Sequence, residues 1–184
     1  YQNNAYKSFL ESRLPNRDQE AWRRTNIKQL ARMNLSLAKN GQSENGSNSA
    51  PDFFFNPEDI GGRIFLSDNI SQIVLNSKIS STGVIFTDFK TAIQDHPDIL
   101  EKAIKQIDEQ EKDLFSSMTA AFAENGIFLY VPKGVKIDVP LQSKIQFSGA
   151  GKANLSNLIV WMEDNSSATL IHEFASVEGD ASLH

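Results

Sequence analysis

The sequence predicts an α+β protein in which a helical N-terminal part precedes a block of closely spaced strands. Apolar residues recur every three or four positions in residues 1–13 and 99–123, as expected for helices with one buried side. From Gly126 onward this pattern is replaced by short β-prone runs, which are separated by breaks rich in glycine, proline and asparagine. No helical segment intervenes between these runs.

The first helix, in residues 1–13, is interrupted at Pro15, because proline disfavours helical geometry at the residue before it. Asn16 can cap a second short helix, with Gln19 as the reciprocal capping residue. Helices this short are unstable alone. We therefore expect Trp22 to anchor the second helix to the rest of the protein.

The middle of the chain predicts short strands and then one long helix. Arg63 to Ser67, Ile73 to Leu75 and Val84 to Thr87 are β-prone runs. The helix is expected from Ile99 to about Ala123, with Asn125-Gly126 ending it through a residue at positive φ.

Five strands are expected after Gly126, within residues 127–131, 135–139, 144–147, 155–162 and 168–175. Their spacing is typical of a meander, a sandwich or a stacked β-solenoid, and no exact repeat selects among the three. In the last strand His172 and Phe174 share one face. Residues 177–184 show no capping element, so we expect the strand ladder to continue beyond His184.

These elements predict four parts of the chain. They are short helices in 1–38, a flexible linker rich in Asn, Gly and Ser in 39–52, the rest of an N-terminal α/β domain ending in a long helix in 53–125, and the start of a β core in 126–184.

Composition limits the class of protein. Of 184 residues, 40% are hydrophobic and 22% charged, and no apolar run approaches the roughly 18 residues of a spanning helix. Cysteine is absent, which excludes disulfides, a nucleophilic thiol and thiolate-bound metal within these residues. We expect a cytoplasmic protein with no membrane partner.

The net charge of −5 combines a basic start with an acidic remainder. The first 40 residues hold eight Lys or Arg and three Asp or Glu. The principal basic residues are Arg13, Arg17, Arg23, Arg24, Lys28 and Arg32. A basic nucleic-acid-binding module is one interpretation, but no nucleic-acid motif accompanies the charge. A solvated helix face or a protein-binding surface is favoured, and no nucleic-acid partner is expected.

No set of residues predicts catalysis. His96, His172 and His184 lie far apart and have no metal-ligand spacing. His172 and Glu173 are strand neighbours that point to opposite faces. Residues 132–134 read as a turn, since they lack the glycine spacing of a phosphate loop. The sequence predicts no catalytic, cofactor-binding or metal-ligating residue, and no enzyme activity.

Four stretches together resemble the SufB/SufD family of iron–sulfur cluster assembly proteins, and the first resembles the SufD branch. They are Leu14–Thr25, Gly83–Asp88, Ala120–Val135 and Met162–Glu173. The resemblance covers the N-terminal part of such a protein and implies a helical domain followed by the first rungs of a parallel β-helix. It also implies a non-catalytic scaffold that acts with SufB and the ATPase SufC, on which iron–sulfur clusters are handled transiently.

In that family the contacts with SufB and SufC lie mainly in later parts of the chain, so the resemblance assigns no metal or catalytic residue here. The alternative is a secreted or cytoplasmic carbohydrate-active β-solenoid enzyme. Such an enzyme needs clustered carboxylates. The acids after Gly126 are scattered, at Asp138, Glu163, Asp164, Glu173, Glu178 and Asp180.

Overall fold

The computed structural model describes residues 2–16, 18–25, 27, 34–37, 53–67, 70–108, 113–147 and 151–176. Its helices are α1 Gln2–Glu11, α2 Ser77–Ser80, α3 Phe89–Asp95, α4 Pro97–Asp108 and α5 Leu114–Phe122. Its strands are β1 Ser36–Leu37, β2 Gly62–Leu66, β3 Ser71–Leu75, β4 Ile85–Asp88, β5 Asn125–Val131, β6 Leu141–Phe147, β7 Lys152–Ala153, β8 Ser156–Met162 and β9 Leu170–Ser176. The expected linker at 39–52 lies outside the described residues.

Two sheets form the body of the molecule, with strand orders β3-β2-β6-β9 and β4-β5-β8. Their inner faces share one apolar core, which includes Ile64 of β2, Phe86 of β4, Leu129 of β5 and Ile145 of β6. These side chains alternate with polar or outward-facing neighbours along each strand, as the two-residue period of a strand requires. Burial against the opposite sheet therefore fixes which face of each strand points inward.

A second apolar cluster lies on the other face of the β4-β5-β8 sheet. Phe128 and Ile159 from the sheet pack there against α3 and α4, which contribute Ala92, Leu100 and Ala103. The two helices thus cover the outer face of this sheet. No helix in the described part of the chain is both long enough and apolar enough to cross a membrane.

The strands after residue 125 pair with partners about 30 positions away. β5 runs parallel to β8, with Ile127 facing Leu158, and β6 runs parallel to β9, with Ser143 facing His172. Successive strands of this block do not pair with each other. A meander, one of the three arrangements compatible with the sequence, is therefore excluded for β5, β6, β8 and β9.

Four of the five strands expected after Gly126 are present. The fifth, expected at 135–139, was a wrong prediction, because those residues make a single parallel bridge from Lys136 to Ser167. The chain turns a corner between the two sheets there, and the proline at 140 has no N–H to donate to a longer ladder. The strands expected in the 63–87 region are confirmed as β2, β3 and β4.

The N-terminal segments dock onto α5. The rings of Phe9 and Phe122 meet edge to face with centroids 5.2 Å apart, and Ala5 is fully buried. Trp22 lies in a short 3-10 turn, where its ring is 5.1 Å from that of Phe115. Trp22 thus contacts α5, as expected of an anchor, although its side chain is only half-buried.

Residues 36–37 differ from the short helices expected throughout 1–38. They form β1, which pairs in parallel with β7, and Ser36 N–H donates to the Gly151 carbonyl at 3.1 Å. The backbone of this segment therefore pairs with Gly151 and β7 instead of forming a helical turn.

The long helix expected from Ile99 to about Ala123 is two helices, α4 and α5. Asp113 is extended, with φ −91° and ψ 178°, and its carboxylate accepts the Ser116 N–H at 2.8 Å. Ser116 Oγ in turn accepts the Asp113 N–H at 2.9 Å. This capping box starts α5 anew, which is why the helical period alone was misleading.

Asn125-Gly126 does not end the helix, contrary to the prediction; the two residues begin β5. Gly126 is required for a different reason. A Cβ atom at this position would lie 2.6 Å from the Asn157 carbonyl oxygen and 2.9 Å from the Phe89 ring. Glycine therefore permits β5, β8 and α3 to approach one another closely.

Candidate functional site: the exposed end of the strand ladder

Within the described residues, β8 and β9 are the last strands of the ladder, and their apolar inner face is only partly covered. On β5, the inward residues Ile127, Leu129 and Val131 are at most 1% exposed. The residues that pair with them on β8 are much more exposed: Leu158 by 41%, Val160 by 45% and Met162 by 37%. Phe174 on β9 is 55% exposed. We call these four side chains the exposed end. Their chemistry is that of a core, which makes this face a candidate contact surface.

The backbone of the exposed end is also available for pairing. Within the described residues β8 pairs on one side with β5, β9 pairs on one side with β6, and each is the last strand of its sheet. An edge strand presents unpaired N–H and C=O groups to any further strand. Both side chains and backbone at this end therefore suit the addition of extended chain.

His172 lies on the inner face of β9, next to the exposed end. Its Nδ1 is 2.7 Å from Oγ of Ser143, which is completely buried. Burial lowers the pKa of His172 from its ordinary value, and the negative charge of Glu173 opposes this shift. The Ser143 hydroxyl is completely buried, whereas the His172 ring is partly exposed.

Glu173 points to the opposite, outer face, as the alternation along β9 predicted. There Gln142 donates its side-chain N–H to Glu173, and Lys144 Nζ lies 3.8 Å from Glu173 Oε2. Arg63 donates to the Gln142 side-chain oxygen at 3.3 Å and stacks on the Phe53 ring at 4.1 Å. The outer face thus carries a polar network that joins β2, β6 and β9.

The turn at 132–134 is a stacked corner, and no helix follows it. Lys133 N–H donates to Glu163 Oε2 at 2.9 Å, and Lys133 Nζ lies 3.3 Å from Asp164 Oδ2. Burial, together with a hydrogen bond to Glu163 and the charge of that carboxylate, raises the pKa of Tyr130. The carboxylates of the corner are thus engaged with Lys133 and Tyr130.

The expected site residues do not converge. His96 ends α3, at the turn before α4, while His184, Glu178 and Asp180 lie outside the described residues. In the described part of the chain no group of three or more His, Asp or Glu side chains is placed to hold a metal ion. Of the basic N-terminal residues, Arg23 pairs with Glu20 at 3.7 Å on the surface. The absence of catalysis stays a prediction.

Sequence reasoning missed the partners of His172 and Glu173. Each partner lies 29 to 31 positions earlier, and no sequence motif connects the two members of a pair. Only the parallel register of β6 and β9 brings them together. The available signal is the spacing of two turns. Gly134 and Asn165, which are residue types that tolerate positive φ, lie 31 positions apart, and both have positive φ in the structure.

The chain is similar to known proteins along most of its length. A family model described as the SufBD protein N-terminal region matches residues 1–143. The iron-sulfur cluster assembly protein SufD of Bacillus subtilis is 31% identical over 110 residues, which are 58% of this chain and 24% of that protein. An iron-sulfur cluster assembly SufBD family protein of Synechocystis is 24% identical over 125 residues, 68% of this chain and 24% of the relative.

A SufBD family protein of Mycobacterium bovis is 27% identical over 92 residues, which cover 50% of this chain and 11% of that protein. The chain thus spans about a quarter, or less, of the length of these relatives. The matching family model covers well over half of the chain. The chain therefore belongs to the SufB/SufD family of iron–sulfur cluster assembly proteins.

Proposed function

We propose that residues 125–176 are two successive turns of a parallel β-helix. Three observations support this. β5 and β8 stack in parallel, and so do β6 and β9. The single bridge from Lys136 to Ser167 stacks the corners between them. Gly134 at φ 74° and Asn165 at φ 57° repeat the same left-handed corner at that offset.

In this arrangement the exposed end would be covered by a further turn about 30 residues later. The apolar inward side chains and the unpaired strand edges support such a covering. The relatives are about four times as long as the part that matches this chain, which is ample length for further turns.

The stacked corners give a direct test. Replacing Asn165 with valine should lower the free energy of unfolding by about 1–2 kcal/mol, because a β-branched residue is disfavoured at positive φ. Asn165→Gly should leave stability unchanged or raise it slightly. Urea denaturation followed by circular dichroism measures both changes.

Ser167→Val serves as the matched control for this experiment. Ser167 is exposed and has no positive φ, and its backbone lies in the parallel bridge, where a β-branched side chain is tolerated. Equal losses for Asn165→Val and Ser167→Val would contradict the left-handed corner, and so would a large loss for Asn165→Gly.

We propose that the protein is a non-catalytic scaffold subunit of a cytoplasmic Suf-type complex for iron–sulfur cluster assembly. The family match over residues 1–143 carries this proposal. The similarity to a relative named SufD, and the segment Leu14–Thr25, favour the SufD branch. Its partners would be a SufB-like subunit and a SufC-like ATPase, with ATP hydrolysis belonging to the latter.

The iron or cluster would be cargo of the assembled complex. The residues described in this chain offer no group that could hold a metal, and cysteine is absent from the sequence. We therefore place cluster handling in later parts of the protein or on its partners. Residues 1–176 would form the N-terminal part of the scaffold and provide the strands on which the next turns of the β-helix stack.

Co-purification tests this function. Full-length protein carrying an affinity tag should recover a SufB-like subunit and an ATPase when the three are co-expressed, and the recovered complex should hydrolyse ATP. The tagged protein alone should hydrolyse none. Recovery of a stable monomer without either partner, or ATP hydrolysis by the tagged protein alone, would contradict the scaffold role.

A further inference from the structure

His172 is a half-buried titratable group on the apolar inner face of β9. Its ring meets Phe174 edge to face with centroids 4.5 Å apart, and Nδ1 lies 2.7 Å from the buried Ser143 hydroxyl. Its other nitrogen, Nε2, is buried and has no hydrogen-bond partner among the described residues. A neutral imidazole suits this position, since Nδ1 can accept from Ser143.

The charged groups of the same sheet lie on its other face. Glu173 and Lys144 point outward and pair with each other, and Arg63 is bound to Gln142. The inward residues of β8 and β5 that face this interior are uncharged. Among the described strands of the two sheets, the charged residue on an inner face is Asp88. It lies on β4, at the edge of the β4-β5-β8 sheet that is farther from β8.

Protonation of His172 would therefore place a positive charge on the apolar inner face of β9, while the carboxylate of Glu173, which attracts it, lies on the opposite face of the strand. It would also add a hydrogen to Nδ1, which then no longer accepts from Ser143, so the buried Ser143 hydroxyl hydrogen would lose its acceptor. Both effects disfavour the imidazolium in the folded ladder, and neither operates when β9 is released into water.

We propose that His172 is an acid-sensitive latch that holds β9 on β6 when neutral and releases it when protonated. In the paired state the pKa of His172 is lower than in the released state. The pairing is therefore fully stable above the ordinary pKa of histidine and weakens as the pH falls through that value. The latch would make the last described turn the first to open in acid.

Amide hydrogen exchange of the 184-residue chain, read by NMR between about pH 5 and about pH 8, tests the latch. After correction for intrinsic exchange rates, the opening equilibrium of β9 amides should rise on acidification. One proton allows a change of at most about tenfold per pH unit. The amides of β2 and β5 should change much less, because they lie further from His172 in the ladder.

Variants separate His172 from other titrating groups. His172→Gln should abolish the pH dependence of β9, whereas His96→Gln, at the turn between α3 and α4, should retain it. Glu173→Gln should retain it too, because that carboxylate lies on the other face. Uniform pH dependence across all strands, or its persistence in His172→Gln, would overturn the proposal.

A second measurement covers the case in which His172→Gln does not fold. The ring resonances of unmodified His172 can be titrated directly in the folded chain and again in the urea-unfolded chain. The latch requires His172 to titrate at lower pH in the folded chain than in the unfolded one. Titration at the same pH in both, or at a higher pH in the folded chain, would overturn the proposal without any variant.

Discussion

Replacing Phe128 with alanine is expected to lower the free energy of unfolding by about 3–5 kcal/mol. Phe128 is completely buried in the cluster between the β4-β5-β8 sheet and the helices α3 and α4. Removing the ring loses its burial and leaves a cavity that rigid neighbours on two sides fill only partly. Urea denaturation followed by tryptophan fluorescence measures the loss, since Trp161 lies in the same cluster.

Leu158→Ala is the control for the Phe128 substitution. Leu158 also belongs to this sheet, but it faces the other way and is 41% exposed. Its truncation should cost about 1 kcal/mol or less, because a half-exposed side chain loses little on transfer to water. Similar losses for the two variants would show that the helices do not seal Phe128 as described.

Asp88→Ala is expected to cost about 2–3 kcal/mol. The Asp88 carboxylate caps α3 by accepting the Thr91 N–H at 2.7 Å, and it also accepts the Ser71 hydroxyl. Ser71 belongs to β3 and Asp88 to β4, so this side chain ties together the two sheets at one end of the ladder. Its loss removes the partner of the Ser71 hydroxyl and leaves the Thr91 N–H at the start of α3 without its cap.

Acid dependence gives a second expectation for Asp88. Burial alone would raise the pKa of this carboxyl, but the hydrogen bonds from Ser71 and Thr91, with the charge of Lys90, lower it in net effect. A carboxyl with a lowered folded-state pKa stabilises above its ordinary value, and this stabilisation is lost as pH falls towards the folded value.

Asp88→Asn separates the cap from the charge. Asparagine keeps one oxygen, which can accept the Thr91 N–H, and its Nδ2 can donate to the Ser71 hydroxyl in place of the carboxylate oxygen that accepts from it. This variant should therefore retain most of the stability while losing the acid dependence assigned to Asp88. Thermal unfolding between about pH 3 and about pH 7 tests both parts. An asparagine variant as unstable as Asp88→Ala would refute the capping explanation, and unchanged acid dependence would refute the charge.

Local elements were predictable from the sequence where a local pattern decides them. The strands β2, β3 and β4 and the helix α1 were placed closely, because alternation and helical spacing are read within a few residues. The break between α4 and α5 was missed, although Asp113 and Ser116 have the spacing of a capping box. The apolar period of a helix runs on through both α4 and α5, so it does not reveal the break at Asp113.

Pairing over long distances was not predictable from these residues. Parallel strands are joined by backbone hydrogen bonds, which every residue except proline offers, so the partners at 29 or 31 positions need not resemble each other. The placement of His172 and Glu173 on opposite faces followed from alternation alone. The identities of Ser143 and Gln142 as their partners required the register.

The Ser71–Asp88 contact has a consequence for the order of assembly. At that end of the ladder the edge strands, β3 and β4, run antiparallel to their neighbours, while β8 and β9 are added at the other end. The strands are therefore added to the ladder in the same order in which they are synthesised, from the N-terminal to the C-terminal side. All strands from β2 to β6 lie within residues 62–147, so they can pack as the chain emerges. β8 and β9 then each close a loop of only about 30 residues onto a neighbour that is already in place.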